Sequence, residues 1–154
     1  MTKATAKSPW IVHFNCNSCN GCDIEFLACL TPVYDVERLG VVHVGNPKHA
    51  DILVVTGSVN HRNKRVLKNV YEQMPSPKVV VAMGICPATG GIFADCYNVI
   101  GGVDKARERG MKVIIVDPRI TPAVEKQCDL HLRIKPGTDC ALALGLAREL
   151  IVND

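Results

Sequence analysis

Lys78-Val79-Val80-Val81-Ala82-Met83 runs directly into Gly84-Ile85-Cys86-Pro87-Ala88-Thr89-Gly90-Gly91. The first part is a short apolar run rich in β-branched residues and apolar at consecutive positions. It predicts a strand buried on both faces, as in a parallel sheet. The second part is a glycine-flanked loop holding one cysteine. Working outward, similar runs at Trp10 to Phe14, Val41 to Val44, Asp51 to Thr56, Lys112 to Val116 and Leu130 to Ile134 predict further strands. Helical patterns lie between or after them: Asp23 to Leu30 before Pro32, Arg62 to Met74 before Pro75, Val103 to Arg109 before Gly110, and Thr138 to Val152. Strands alternating with helices predict an α/β fold, with a mostly parallel sheet and helices on both faces. Ligands of such sheets sit at the carboxyl ends of the strands.

The chain has 154 residues, enough for a single domain with its own core, so its eight cysteines are not needed as staples. The apolar run Ile11 to Phe14 near the start is too short for a secretory signal, and no run approaches a membrane span. The expectation is a cytoplasmic protein in a reducing compartment, where closely spaced cysteines bind metal or do redox work. A net charge of +3 does not point to nucleic acid, and Arg62, Lys64, Arg65 and Lys68 form a solvated helix face.

Cys16, Cys19 and Cys22 follow the first predicted strand and Cys86 follows the fourth. The strand-end rule therefore brings both groups to one edge of the sheet. Cys19-Asn20-Gly21-Cys22 is a Cys-x-x-Cys turn in which Gly21 lets the backbone bend toward a shared centre. Thiolates suit zinc or an iron-sulfur cluster, and a thioredoxin-like dithiol fits the pair alone. Gly84 and Gly90 flank Cys86 and allow close wrapping around a bulky inorganic group. Cys29, Cys96 and Cys140 are expected to pack as small apolar side chains.

Residues Pro9 to Phe14, Ser18-Cys19-Asn20-Gly21-Cys22-Asp23-Ile24-Glu25, Leu30 to Arg38, Gly45 to Asp51, Val54 to Gly57, Tyr71 to Pro75, Gly90 to Phe93 and Gly101 to Lys105 carry a resemblance. They resemble the small subunit of energy-converting, membrane-associated [NiFe] hydrogenases of the Ech and formate-hydrogenlyase type. More distantly they are similar to the cluster-bearing subunit of respiratory complex I, an NADH-quinone oxidoreductase. The resemblance implies a flavodoxin-like domain carrying one [4Fe-4S] cluster, and an electron-transfer role without hydrogen chemistry of its own. It also implies a hydrogenase large subunit, ferredoxin-like subunits and membrane subunits as partners, with a peripheral place on the cytoplasmic side of the membrane through them. Cys19, Cys22 and Cys86 match three of that family's cluster ligands, and Glu25 matches a carboxylate associated with proton movement.

Where that family has its fourth ligand, after the next strand, this chain has Val116-Asp117-Pro118-Arg119. From about Ala106 onward it resembles instead a fragment of a molybdopterin oxidoreductase such as formate dehydrogenase. Asp117, Arg119 and the turn Lys135-Pro136-Gly137-Thr138-Asp139 match elements that hold a guanine dinucleotide there. The expectation is one α/β iron-sulfur domain over 1–154, with 1–105 hydrogenase-like and 106–154 atypical. Cys128 is the expected fourth cluster ligand, with Cys96 and Asp117 as alternatives. A molybdopterin guanine dinucleotide-binding fragment and a zinc-stabilised structural domain are the competing functions.

Overall fold

A computed structural model describes residues 8–102, 114–120 and 129–135. The chain enters through β1 (Trp10–Asn15) and passes through α1 (Gly21–Leu30) to the edge strand β2 (Val42–His43). After β3 (Ile52–Thr56) come a short strand β4 (Val59–Asn60), α2 (Asn63–Gln73), β5 (Val79–Met83), the helical turn α3 (Ile85–Thr89) and β6 (Val99–Gly101). The strands β7 (Ile114–Val116) and β8 (Leu130–Leu132) complete the described elements.

Six of the strands form one sheet in the order β2-β1-β3-β5-β7-β8, every pairing parallel. Renumbered within the sheet, the order begins 2-1-3-4-5, the flavodoxin-like winding. The strands on either side of residue 105 thus belong to the same sheet.

Alternation along the strands assigns the two faces. Ile11 and Val54 pack with Phe26 and Leu30 of α1 on one side. Val12, Leu53, Val55, Val80 and Ala82 pack with Leu67, Val70 and Tyr71 of α2 on the other. Leu53, Val55 and Ile115 are essentially removed from water, and each such side chain contributes about 1.5–3 kcal/mol of transfer free energy. The exposed face of α2 carries Lys64, Arg65 and Lys68 as expected, Lys68 pairing with Glu72 at 3.4 Å. At its end, Lys78 Nζ donates to the carbonyls of Tyr71 and Met74 at 2.5 and 3.0 Å, satisfying groups the helix leaves unpaired.

Two features depart from the expectation. The segment around Cys86 is a helical turn rather than an open loop, because Pro87 falls in its first turn, where no backbone N–H is required. Val59–Asn60 and Val99–Gly101 pair as a small antiparallel ribbon beside the main sheet, too short to leave a periodic signal. The expected helices Val103 to Arg109 and Thr138 to Val152, together with Cys128 and Cys140, lie outside the described residues.

Candidate metal centre

The loop from β1 to α1 is built on a buried carboxylate. Asp23, only 8% exposed, accepts from Asn15 Nδ2 at 3.0 Å, from Thr56 Oγ1 at 2.8 Å and, through its second oxygen, from the Ser18 hydroxyl. His13 Nε2 lies 3.1 Å from Asp23 Oδ1 and 3.0 Å from Thr56 Oγ1. Asn15, His13 and Thr56 reach Asp23 together because they occupy alternate positions on the α1-covered face of paired strands β1 and β3. The His13 ring stacks on Phe26, with centroids 4.7 Å apart.

Burial lowers the His13 pKa despite the neighbouring Asp23, and the charge of His43 acts in the same direction. His13 is therefore neutral at pH 7, with Nε2–H donating. For Asp23 burial acts upward, but hydrogen bonds from Ser18 and Thr56, together with the charge His13 carries once protonated in acid, outweigh it, so the carboxyl is held below its ordinary value.

Ser18 transmits this anchor to the cysteine turn. Its N–H donates to Asn15 Oδ1 at 2.9 Å, and its Oγ accepts from the Asn20 N–H at 3.0 Å. The left-handed residues of the turn are Asn17 and Asn20, at φ 69° and 68°. Asparagine tolerates that region well. Gly21 is the first residue of α1, and a Cβ there would lie 3.6 Å from Cys19 Sγ, an ordinary contact. The bend that Gly21 was expected to supply is thus made by Asn20.

The other side of the site is made by what glycines leave out. Gly84, at φ +88°, lies under Cys22, where a Cβ would fall 2.8 Å from Sγ. Gly91, at φ +57°, would bring a Cβ 2.9 Å from Cys86 Sγ. Gly90 is the left-handed residue that ends α3, its N–H donating to the Cys86 carbonyl at 2.9 Å. Its own carbonyl accepts from the buried Ser58 hydroxyl at 2.9 Å. Gly91 is thus the glycine against the sulfur, a position the sequence did not single out.

Cys86 faces the rest of the edge electrically. Burial pushes its thiol pKa up, a hydrogen bond with Ser58 works against that, and the charges of Cys19 and Asp117 raise it further. Cys19, Cys86 and Asp117, from the ends of β1, β5 and β7, are therefore electrostatic neighbours. Cys16 is fully buried and its pKa is pushed up to about 12 by that burial, which keeps it a neutral thiol. Cys29 is buried as expected, its Sγ donating to the Glu25 carbonyl at 3.3 Å. Cys96, expected to pack, is exposed instead. Glu25 is half-buried on α1, and among the described residues its carboxylate makes no hydrogen bond or ion pair.

No group of three or more cysteine, histidine or acidic side chains among the described residues is arranged to hold a single metal ion. A cubane cluster makes a different demand: each thiolate binds its own iron, and the ligands surround a cage. Glycine leaves space beside the sulfurs of Cys22 and Cys86, and Cys19 is exposed on the turn that carries Cys22. Of the residues matched to nucleotide binding, Arg119 is exposed and Asp117 is buried, with Oδ1 accepting from the Arg119 N–H at 2.6 Å.

A family model described as NADH ubiquinone oxidoreductase, 20 kDa subunit, matches residues 19–133. A probable membrane-bound hydrogenase subunit of Pyrococcus furiosus is 55% identical over 93 residues, 60% of this chain and 56% of that protein. Formate hydrogenlyase subunit 7 of Escherichia coli is 40% identical over 105 residues, 68% of this chain and 41% of that protein. Among solved structures, a chain of the membrane-bound sulfane sulfur reductase, an archaeal respiratory membrane complex, matches with a TM-score of 0.63 and 30% identity. That match covers 96% of this chain and 72% of the other. The chain spans about half the length of these curated relatives.

Proposed function

The chain belongs to the NADH ubiquinone oxidoreductase 20 kDa subunit family, and from that premise we propose that it is an electron-transfer subunit of a membrane-associated hydrogenase or complex I-like assembly. In this reading it carries one [4Fe-4S] cluster, with Cys19, Cys22 and Cys86 as three of its protein ligands. The observation that carries the reading is the gathering of these thiols at one sheet edge, with glycine clearance at Cys22 and Cys86. When bound, the cluster supplies one-electron transfer between a partner's nickel-iron centre and further clusters.

The chain's own residues position that chemistry. Asp23 holds the Ser18–Cys22 turn through Ser18. Ser58, whose hydroxyl holds the Gly90 carbonyl at 2.9 Å, also lies in hydrogen-bonding reach of Cys86 and fixes the end of the turn that carries it. Gly84 and Gly91 keep the space around two sulfurs open. Glu25, one turn beyond Cys22, takes and releases a proton where the large subunit docks. No helix among the described residues is long and apolar enough to cross a membrane. In this reading attachment on the cytoplasmic side runs through partner subunits, as the membrane-bound relatives suggest, and residues 1–154 act as one α/β iron-sulfur unit.

Anaerobic purification followed by iron, sulfide and zinc analysis tests this. The expected result is about four irons and four sulfides per chain and a paramagnetic signal on reduction, both lost in Cys86→Ala. A folded chain with stoichiometric zinc and no iron would overturn it.

A further inference from the structure

The parallel pairing of β5 with β7, Met83 opposite Val116, delivers the exits of both strands to the same point. The first residue beyond β7 is Asp117, across from the turn that carries Cys86. Its backbone is held on both sides: its N–H donates to the Leu132 carbonyl at 3.3 Å and its carbonyl accepts from His131 Nε2 at 2.9 Å. This segment is therefore pinned by β8, and the Asp117 side chain has a defined place.

That side chain is 7% exposed. One oxygen accepts from the Arg119 N–H; the other accepts no hydrogen bond, and the carboxylate makes no ion pair, among the described residues. A buried carboxylate in that condition is costly. Its charge, like that of Cys19, bears directly on Cys86. Bound as thiolates, Cys19 and Cys86 would join Asp117 as anionic donors from three strand ends around a cation lying between them. An iron of the cluster would take the second carboxylate oxygen as well as the thiolates.

We infer that Asp117 is the fourth protein ligand of the cluster, an oxygen donor closing a site otherwise made of Cys19, Cys22 and Cys86. This rests on the cluster reading above. A carboxylate is a harder donor than a thiolate and binds iron less tenaciously in a sulfide cage. One iron of the four is therefore distinct: it exchanges more readily, and it leaves first on mild oxidation.

The test uses the full chain, loaded anaerobically with ferrous iron and sulfide and followed by iron content and electron paramagnetic resonance. Wild type is expected to lose one iron on brief ferricyanide treatment and to show a three-iron signal. Asp117→Ala is expected to load about three irons and to show that signal after the same ferricyanide treatment with no further iron lost. Asp117→Cys is expected to keep all four irons, losing the labile one about tenfold more slowly than wild type. Cys128→Ala is expected to match wild type.

If Asp117→Ala retains the wild-type iron content and signal while Cys128→Ala loses an iron, Cys128 is the ligand and the inference is wrong. Should Asp117→Ala fail to fold, Asp117→Cys decides, because unchanged iron loss and an unchanged signal in that variant refute oxygen ligation. A wild-type chain that takes up no iron or sulfide instead refutes the cluster reading, and this inference falls with it.

Discussion

Cys19 and Cys22 sit on a turn tied by hydrogen bonds to the buried Asp23 carboxylate, whereas Cys86 sits on a helical turn that ends at Gly90 and has Gly91 against its sulfur. The first arrangement depends on charge and on donors from β1 and β3. The second depends on empty volume and on backbone angles that only glycine adopts at low cost. Cysteines brought to one edge from distant stretches of chain can thus be held electrostatically in one turn and sterically in the other. The two halves should fail under different insults.

Removing the carboxylate is the harshest test of the first half. Asp23→Ala leaves the donors of Asn15, Ser18, Thr56 and His13 without their shared acceptor, and it should cost about 3 kcal/mol of stability by urea unfolding. It should also release the Ser18–Cys22 turn, seen as faster alkylation of Cys22 in the metal-free chain. A loss below about 1 kcal/mol would mean the network does not anchor the loop.

The second half should respond to a single methyl group. Gly84→Ala and Gly91→Ala place a Cβ within 3 Å of the sulfurs of Cys22 and Cys86, at φ values that L-residues rarely take. Each should cost about 1–2 kcal/mol in stability, with a larger proportional loss of bound iron, because the sulfur must turn away to make room. Gly21→Ala is the control, since its Cβ makes only an ordinary contact. If Gly21→Ala reduces iron loading as much as Gly84→Ala, the steric account of this half fails.

The smallest expected effect is in pH. The folded-state pKa of His13 is lowered, chiefly by burial. The unfolded chain therefore binds a proton first as pH falls. The contribution of His13 to stability is complete above the unfolded value, near 6.5, and declines as pH drops from there toward the folded value. The urea midpoint of the metal-free chain should drift down between pH 7 and pH 5, and His13→Gln should flatten that drift. A midpoint equally steep in both proteins would assign the acid sensitivity elsewhere.

Much of this was legible in the letters. Apolar runs such as Val79 to Met83 announce buried strands. Cys29, on the apolar side of α1, packs with Val36 as a small hydrophobe. The Cys86 segment reads as a loop because glycine and proline punctuate it, yet it folds as a helical turn, since proline is harmless in a first helical turn. Asp23 carried no signal beyond that of an acidic residue starting a helix. Its importance comes from His13, Asn15 and Thr56, which look like isolated polar interruptions until β1 and β3 are paired. Gly91 likewise needs the position of the Cys86 sulfur before its role is visible.

The amino-acid sequence by itself determined the alternation of strands and helices, and therefore that thiols following different strands emerge at one edge. Parallel strands joined by crossovers all deliver their carboxyl ends to the same side. Only the tertiary structure decided which side chains at that edge face each other. Strand order and register bring Asp23 under the first cysteine turn and the strand exits before Asp117 and Cys86 side by side. Burial and electrostatic neighbourhood are set by residues far apart in the chain, and no local pattern records them.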